Sequence, residues 1–146
     1  MITLKPITAE QTNIFEGFSY ESISDADKIR MLNESRKQLH EGNYFELLVV
    51  YFNDKIIGFM NLYAHSAHII SCAPEIMPEF RRKGFAFEAE KAALDYAKEK
   101  GYNIAVGYVD ENNIASQKLH EKLAFESDYT YVNKNGKTIK VYIKAL

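Results

Sequence analysis

The chain has 146 residues, of which 47% are hydrophobic, and its formal net charge is −2. That is about one domain's worth of chain, with enough apolar content to bury a core and too much for intrinsic disorder. The near-neutral balance argues against a broad basic face and so against nucleic acid as a partner. The one cysteine, Cys72, excludes an internal disulfide, and no apolar run approaches the roughly 20 residues of a membrane span.

Met1 to Pro6 lacks the apolar centre of a signal peptide and has the pattern of a strand, expected over Ile2–Ile7. With a lone thiol, the expected compartment is the cytoplasm. Thr8 suits the cap of a short helix through Phe15, interrupted at Gly17. The aromatic and acidic connector Phe15–Glu21 that follows suits either solvent or one wall of an acceptor pocket. Ser24-Asp25-Ala26-Asp27 predicts a helix start. Ile29, Leu32, Ser35, Arg36 and Leu39 give that helix its inner stripe, with Gly42 expected to close it.

Tyr44–Phe52 and Lys55–Ala64 are rich in aromatic and β-branched residues and predict two strands joined by a turn at Asn53-Asp54. A third strand is expected over Ala67–Met77. Pro74 lies inside it and cannot donate to a ladder, which predicts a bulge or a local break.

Next comes a basic turn, Arg81-Arg82-Lys83-Gly84, leading into Phe85-Ala86-Phe87 and a run of strong helix formers to Lys98. Glycine at position 84 permits backbone angles closed to other residues and lets a ligand approach the chain. A helix beginning there leaves about four N–H groups without intrahelical partners at the positive end of its dipole. Phosphate oxygens suit such a place, and the three cations add to its field. The glycine spacing fits neither G-x-G-x-x-G nor the Walker pattern.

Lys98-Glu99-Lys100-Gly101 predicts the helix end, and Tyr102–Val109 a further strand. Asp110-Glu111-Asn112-Asn113 opens a last helix to about Leu123. In it Ala115, Leu119 and Leu123 form the expected packing face, with Asn113, Ser116 and His120 on another. Phe125–Asn133 and Lys137–Lys144 predict a hairpin across Asn135-Gly136. Antiparallel strands followed by one strand–helix–strand crossover predict one α+β domain over residues 1–146, with a mixed, mostly antiparallel sheet flanked by helices.

Two blocks, Arg81-Arg82-Lys83-Gly84-Phe85-Ala86 and Glu111 to Phe125, resemble in order and spacing the acetyl-CoA-binding core of the GNAT superfamily of N-acetyltransferases. The first is similar to its [Q/R]-x-x-G-x-[G/A] signature. The second is similar to its Asn-x-x-[Ala/Ser] helix and Glu-Lys-Leu-Gly-Phe ending, with Ala124 in place of the glycine. Phe87-Glu88-Ala89 resembles the branch that acetylates ribosomal-protein N-termini.

The resemblance implies splayed central strands, acetyl-CoA as co-substrate, and direct transfer to a primary amine, either a protein N-terminus or a small cationic amine. It also implies that amides from Arg82 to Phe87, with Arg81, hold the pyrophosphate. Ile76 and Met77 would bond the pantetheine arm, one of their N–H groups polarising the thioester carbonyl. Asn113 and Ser116 would line the same channel. Glu75 is the first candidate for general base, with His68 and Tyr108 behind it.

His120 stands where many relatives carry a tyrosine acid, and either donates a proton to the leaving thiolate or only packs against the cofactor. Cys72, in an apolar strand, is expected in the core. His65 and His68 lack further ligands, so no metal is expected. A non-catalytic acyl-CoA-binding module and a nucleotide-binding turn are the competing readings, and relatives of this kind are often homodimers.

Overall fold

The computed structural model describes residues 1–8, 10, 11, 15 and 23–146. Its elements are β1 (Ile2–Pro6), α1 (Asp25–Lys37), β2 (Phe45–Phe52), β3 (Lys55–Ala64), β4 (Ile69–Ile76), α2 (Phe85–Glu99), β5 (Ile104–Asp110), α3 (Ile114–Lys122), β6 (Glu126–Val132) and β7 (Thr138–Ala145). A 3-10 turn, Pro78–Phe80, joins β4 to the basic loop. The strands form one sheet in the order β1-β2-β3-β4-β5-β7-β6. Every neighbouring pair is antiparallel except β4–β5. The fold is thus α+β with a mixed sheet. The predicted connector Phe15–Glu21 and the short helix before it lie largely outside the described residues.

Local chemistry explains most element ends. The Ser24 side chain accepts from the Asp27 N–H at 3.2 Å, capping α1. α1 ends earlier than expected: Gln38, at φ 55, takes the left-handed cap, and Gly42 belongs to the following turn. Its inner stripe is also narrower, with Leu32 and Ser35 buried and Ile29 and Leu39 exposed. Gly101, at φ 100, closes α2 with bonds from its own N–H to Lys98 and from Tyr102 to Ala97. The last hairpin turns through a longer loop than two residues. Asn133 Oδ1 accepts from the Asn135 and Lys137 N–H groups, both at 3.0 Å, while Gly136 adopts φ 79.

The helices pack on two faces. α2 lays Ala89, Ala93, Leu94 and Ala97 against a core that includes Met60, Leu62, Ile70 and Cys72. Three alanines on that stripe let the helix lie close to the sheet. On the opposite face Leu32 of α1 joins Phe45, Leu47, Val49 and Phe59. A buried carboxylate ties the two layers: Glu46 accepts from Tyr44 at 2.5 Å and Tyr96 at 2.7 Å through one oxygen and from Gln38 at 3.3 Å through the other.

Pro74 makes no bulge. The β3–β4 register runs unbroken through Met60↔Pro74 to Gly58↔Ile76. Met77 N–H donates to Ile57 O at 2.8 Å, so alternation along an antiparallel pair turns Glu75 and Ala73 toward β3, and Pro74 and Ile76 toward β5. The missing proline donor therefore falls on a side where no ladder exists. There β4 and β5 share only Ile69↔Ile104 and Ile70↔Ala105 and then part, three residues before Pro74. The ladder irregularities lie elsewhere, in β2–β3, where Tyr51 pairs with Ile56 and Val50 with Gly58, and in β6–β7, where the register shifts between Glu126 and Tyr129.

Candidate active site

The parted strands open a cleft of about 870 Å³. Its apex is held by side chains. Ser71 Oγ donates to Val106 O at 2.6 Å, spanning the gap just past the last rung, and accepts from His65 Nε2 at 2.7 Å. Burial lowers the His65 pKa, consistent with a neutral ring.

One side of the cleft is the loop into α2. Arg82 (φ 62) and Gly84 (φ 82) are both left-handed. The first intrahelical bond is Glu88 N–H to Gly84 O at 3.2 Å. Among the described residues, no group accepts from the N–H groups of Arg82 through Phe87. A Cβ on Gly84 would meet nothing within 4 Å, so glycine is required there for its angles and not for lack of space. Arg81 turns back, its Nε donating to Ile76 O at 2.8 Å.

The floor comes from α3. Asn113 is its N-cap, the side-chain oxygen accepting from Ser116 N–H at 3.1 Å, a role not foreseen from spacing. The expected packing face of α3 holds at two of its three positions: Leu123 is buried and Leu119 packs against the core, whereas Ala115 is exposed at the cleft, and Gln117 and His120 are buried as well. Gln117 is affordable inside because it is satisfied, donating to Asp110 O and Glu111 O and accepting from Lys140 Nζ at 3.1 Å. His120, 7% exposed, packs between Phe125, edge-on, and Tyr142, tilted, with ring centroids 4.9 and 5.1 Å away. Its Nδ1 donates to Ser116 O at 2.7 Å, and burial lowers its pKa against that bond's pull.

The cleft gathers Glu75, Ile76, Arg81, Arg82, Gly84, Phe85, Ala86, Phe87, Asn113, Ser116 and His120 along its walls, together with Tyr108. Met77 and Lys83 are not among them. Met77 packs on the opposite core and its N–H is taken by Ile57, and Lys83 Nζ lies over the Phe80 ring at 5.9 Å. Glu75 is half-buried; desolvation raises its pKa, and the Arg81 charge acts the other way. Cys72 is buried. His68 is exposed and does not line the cleft.

Lys118 and Lys122 also reach the cleft, Lys122 with its Nζ 4.5 Å from the Phe87 ring centre. They follow from α3 periodicity once Asn113 is fixed as the cap, a signal the sequence reading did not use. Tyr63 is a further lining residue, and from it a series of rings crosses the open side of the sheet. Tyr63–His65, His65–Tyr108, Tyr108–Tyr131 and Tyr129–Tyr131 have centroid separations of 5.1, 5.7, 6.5 and 6.3 Å. No three His, Cys, Asp or Glu side chains converge as a metal would require among the described residues.

The model of the acetyltransferase (GNAT) family matches residues 9–125. The chain belongs to that family. Solved structures of similar fold include an N-acetyltransferase from Staphylococcus aureus Mu50, 19% identical with a TM-score of 0.79, the match covering 99% of this chain and 98% of that one. A spermidine/spermine N-acetyltransferase from Vibrio cholerae is 19% identical with a TM-score of 0.79, at 99% and 92% coverage. A GNAT family acetyltransferase from Elizabethkingia anophelis with acetyl-CoA bound is 17% identical with a TM-score of 0.68, at 99% and 98% coverage. No curated protein matches the sequence significantly. No helix is long and apolar enough to cross a membrane among the described residues.

Proposed function

We propose that the chain binds acetyl-CoA in this cleft and transfers the acetyl group directly to a primary amine. The observation that carries the reading is the row of unpaired amides from Arg82 to Phe87, at the mouth of α2 and beside the gap between β4 and β5. These amides hold the pyrophosphate, aided by the helix dipole and by the charges of Arg81, Arg82, Lys118 and Lys122. The pantetheine arm lies along β4 as the strand that β5 no longer supplies. Ile76 N–H, on the open side of β4, bonds the thioester carbonyl and stabilises the oxyanion as it forms. Asn113 and Ser116 border the arm from α3.

Catalysis then rests on holding the two reactants together, with proton removal from the acceptor ammonium before attack. Glu75 performs that step, directly or through water: it lines the cleft, and its raised pKa makes it a stronger base than a free carboxylate. The acceptor is a cationic amine. The ring series from Tyr63 to Tyr129 offers cation–π contacts, and its members Tyr63 and Tyr108 line the same cleft as the Glu75 carboxylate. The ribosomal-branch resemblance rests on Phe87-Glu88-Ala89 alone, and the family match extends only to GNAT acetyltransferases as a whole. A protein N-terminus is thus the secondary acceptor class. Homodimerisation remains a family expectation to be measured by light scattering.

The test pairs binding with turnover. Acetyl-CoA should bind the wild-type chain, and thiol release should appear with polyamines or other cationic amines. Gly84→Asp should fold and lose at least about a hundredfold in acetyl-CoA affinity, since it adds a carboxylate beside the phosphate oxygens. Unchanged affinity in that variant would remove the phosphate assignment.

A further inference from the structure

The core-facing stripe of α2 holds Ala89, Glu90, Ala93, Leu94 and Ala97, so one carboxyl stands in an otherwise apolar row. Glu90 is 1% exposed. Its Oε1 lies 3.8 Å from His120 Nε2, and its Oε2 is buried with no hydrogen-bond partner. Leaving such an oxygen unpaired is destabilising, a cost that an apolar residue at this position would avoid.

His120 is fixed from its other side. Nδ1 carries the proton donated to Ser116 O, which leaves Nε2 as the bare nitrogen of the neutral ring. That nitrogen occupies the space a Cβ on Gly107 would need, against β5 where it has parted from β4. The ring therefore stands between a buried acid and the cleft it lines.

We propose that Glu90 is a positioning residue that stores a proton for His120 Nε2 to deliver to the departing sulfur; this rests on the acetyl-transfer reading of the same cleft. The nitrogen of the tetrahedral adduct loses its extra proton to solvent, and as the adduct collapses the C–S bond breaks and its electron pair leaves on sulfur. Nε2 takes the Glu90 carboxyl proton on its one lone pair and then passes that same proton to the sulfur, giving a thiol, a neutral imidazole and a carboxylate. The carboxylate regains a proton from solvent after product release. Overall an ammonium and a thioester give an amide, a thiol and one released proton.

The surroundings suit this storage. Burial raises Glu90 to about 8 and lowers His120, so near neutral pH the acid keeps its proton and the imidazole is uncharged. Cys72 faces Glu90 from β4, its thiol pushed up by burial and by the Glu90 charge. Tyr142 faces the imidazole from β7 and is likewise pushed up, by burial and then by Glu121. β5 contributes Gly107, which has no ionisable group. No lysine or arginine pairs with Glu90 among the described residues.

The test uses the full chain. Histidine labelled with nitrogen-15 is titrated in wild type and in Glu90→Gln, with His120 assigned by its loss in His120→Gln. The expected result is an Nε2 shift in wild type that follows a group titrating above neutrality, and its disappearance in Glu90→Gln. With an accepted amine, kcat should fall about tenfold or more in Glu90→Gln. The alkaline fall in kcat should vanish, KM for acetyl-CoA should hold, and Glu90→Asp should restore part of the rate.

Identical Nε2 titrations in the two proteins, or an unchanged kcat–pH profile, overturn the proposal. Should Glu90→Gln fail to fold, the carbon-13 titration of the Glu90 carboxyl is compared between wild type and His120→Gln, and an unmoved midpoint overturns it. If wild type releases no thiol with any amine, the acetyl-transfer reading fails and the delivery to sulfur with it. The nitrogen titration then separately decides whether the acid and the imidazole share a proton.

Discussion

Ala124 sits at φ 64, in the left-handed region, where its Cβ crowds the backbone. The turn forms all the same, because Phe125 N–H reaches His120 O and Ala124 N–H reaches Glu121 O, both at 3.0 Å, while the Phe125 ring packs on His120. Restoring the glycine of the family pattern, Ala124→Gly, should therefore stabilise the chain by about 0.5–1 kcal/mol, read as a rise in the denaturant midpoint at constant slope. Gly107 is the reverse case. Its missing Cβ is the room that the His120 imidazole fills, so Gly107→Ala should cost about 1–3 kcal/mol and turn the ring away from the cleft. A fall in kcat larger than the accompanying change in acetyl-CoA KM is the expected kinetic result.

Glu90 also gives stability a defined pH dependence. Its folded pKa is raised to about 8 from an ordinary value of 4.5 by burial. Between those two values the unfolded chain has lost this proton and the folded chain has kept it. Its contribution is thus fully present at acid pH, falls as pH rises toward 8, and levels off above. Glu90→Gln removes the dependence, so the variant's unfolding free energy, read from denaturant titrations, should gain on wild type steadily from pH 5 to pH 8, by on the order of a few kcal/mol. His120, with its pKa lowered, acts in the opposite sense and below its ordinary value of 6.5, where its contribution is lost as pH falls.

At the scale of elements, legibility followed periodicity. α2 has strong helix formers, a glycine at each end and a basic turn before it, and it forms over Phe85–Glu99 close to the expected limits. α3 was harder to read. Its apolar residues Ala115, Leu119 and Leu123 suggested an inner face, and Leu119 and Leu123 do pack inward, but Ala115 is left out and Gln117 and His120 join them. A buried glutamine is possible only because Asp110, Glu111 and Lys140 supply its partners, and Lys140 is remote in sequence. Pro74 pointed to an irregular strand, but which neighbour loses contact depends on the register with β3, a tertiary fact. Glu90 could have been singled out as one carboxyl in an alanine stripe. Its closeness to His120 depends on two helices meeting over one sheet, which no local pattern encodes.

Across the whole molecule the two faces of the sheet divide the work. α2 and α3 cover the side where the amides and His120 gather. The rings of Tyr108, Tyr129 and Tyr131 lie on the side of β5, β7 and β6 marked by Val141, which pairs with Tyr108 and Tyr129. Tyr108 is 49% and Tyr129 60% exposed. Tyr108→Ala should accordingly raise KM for a cationic amine about threefold to tenfold, equivalent to about 0.5–1.5 kcal/mol of cation–π and contact energy. Acetyl-CoA affinity, read by calorimetry, should stay the same.

Two rungs join β4 to β5, with Ser71 as a clasp beyond them. The sheet is therefore two slabs that meet along a short seam, and their relative freedom depends on what occupies the rest of it. Cofactor in the seam should act as mortar: at a hundred times its dissociation constant, about 2.7 kcal/mol of added stability is expected. Amide exchange should slow most at Ile76 and along β5. Coenzyme supply would then set not only how fast this protein works but how firmly it holds together.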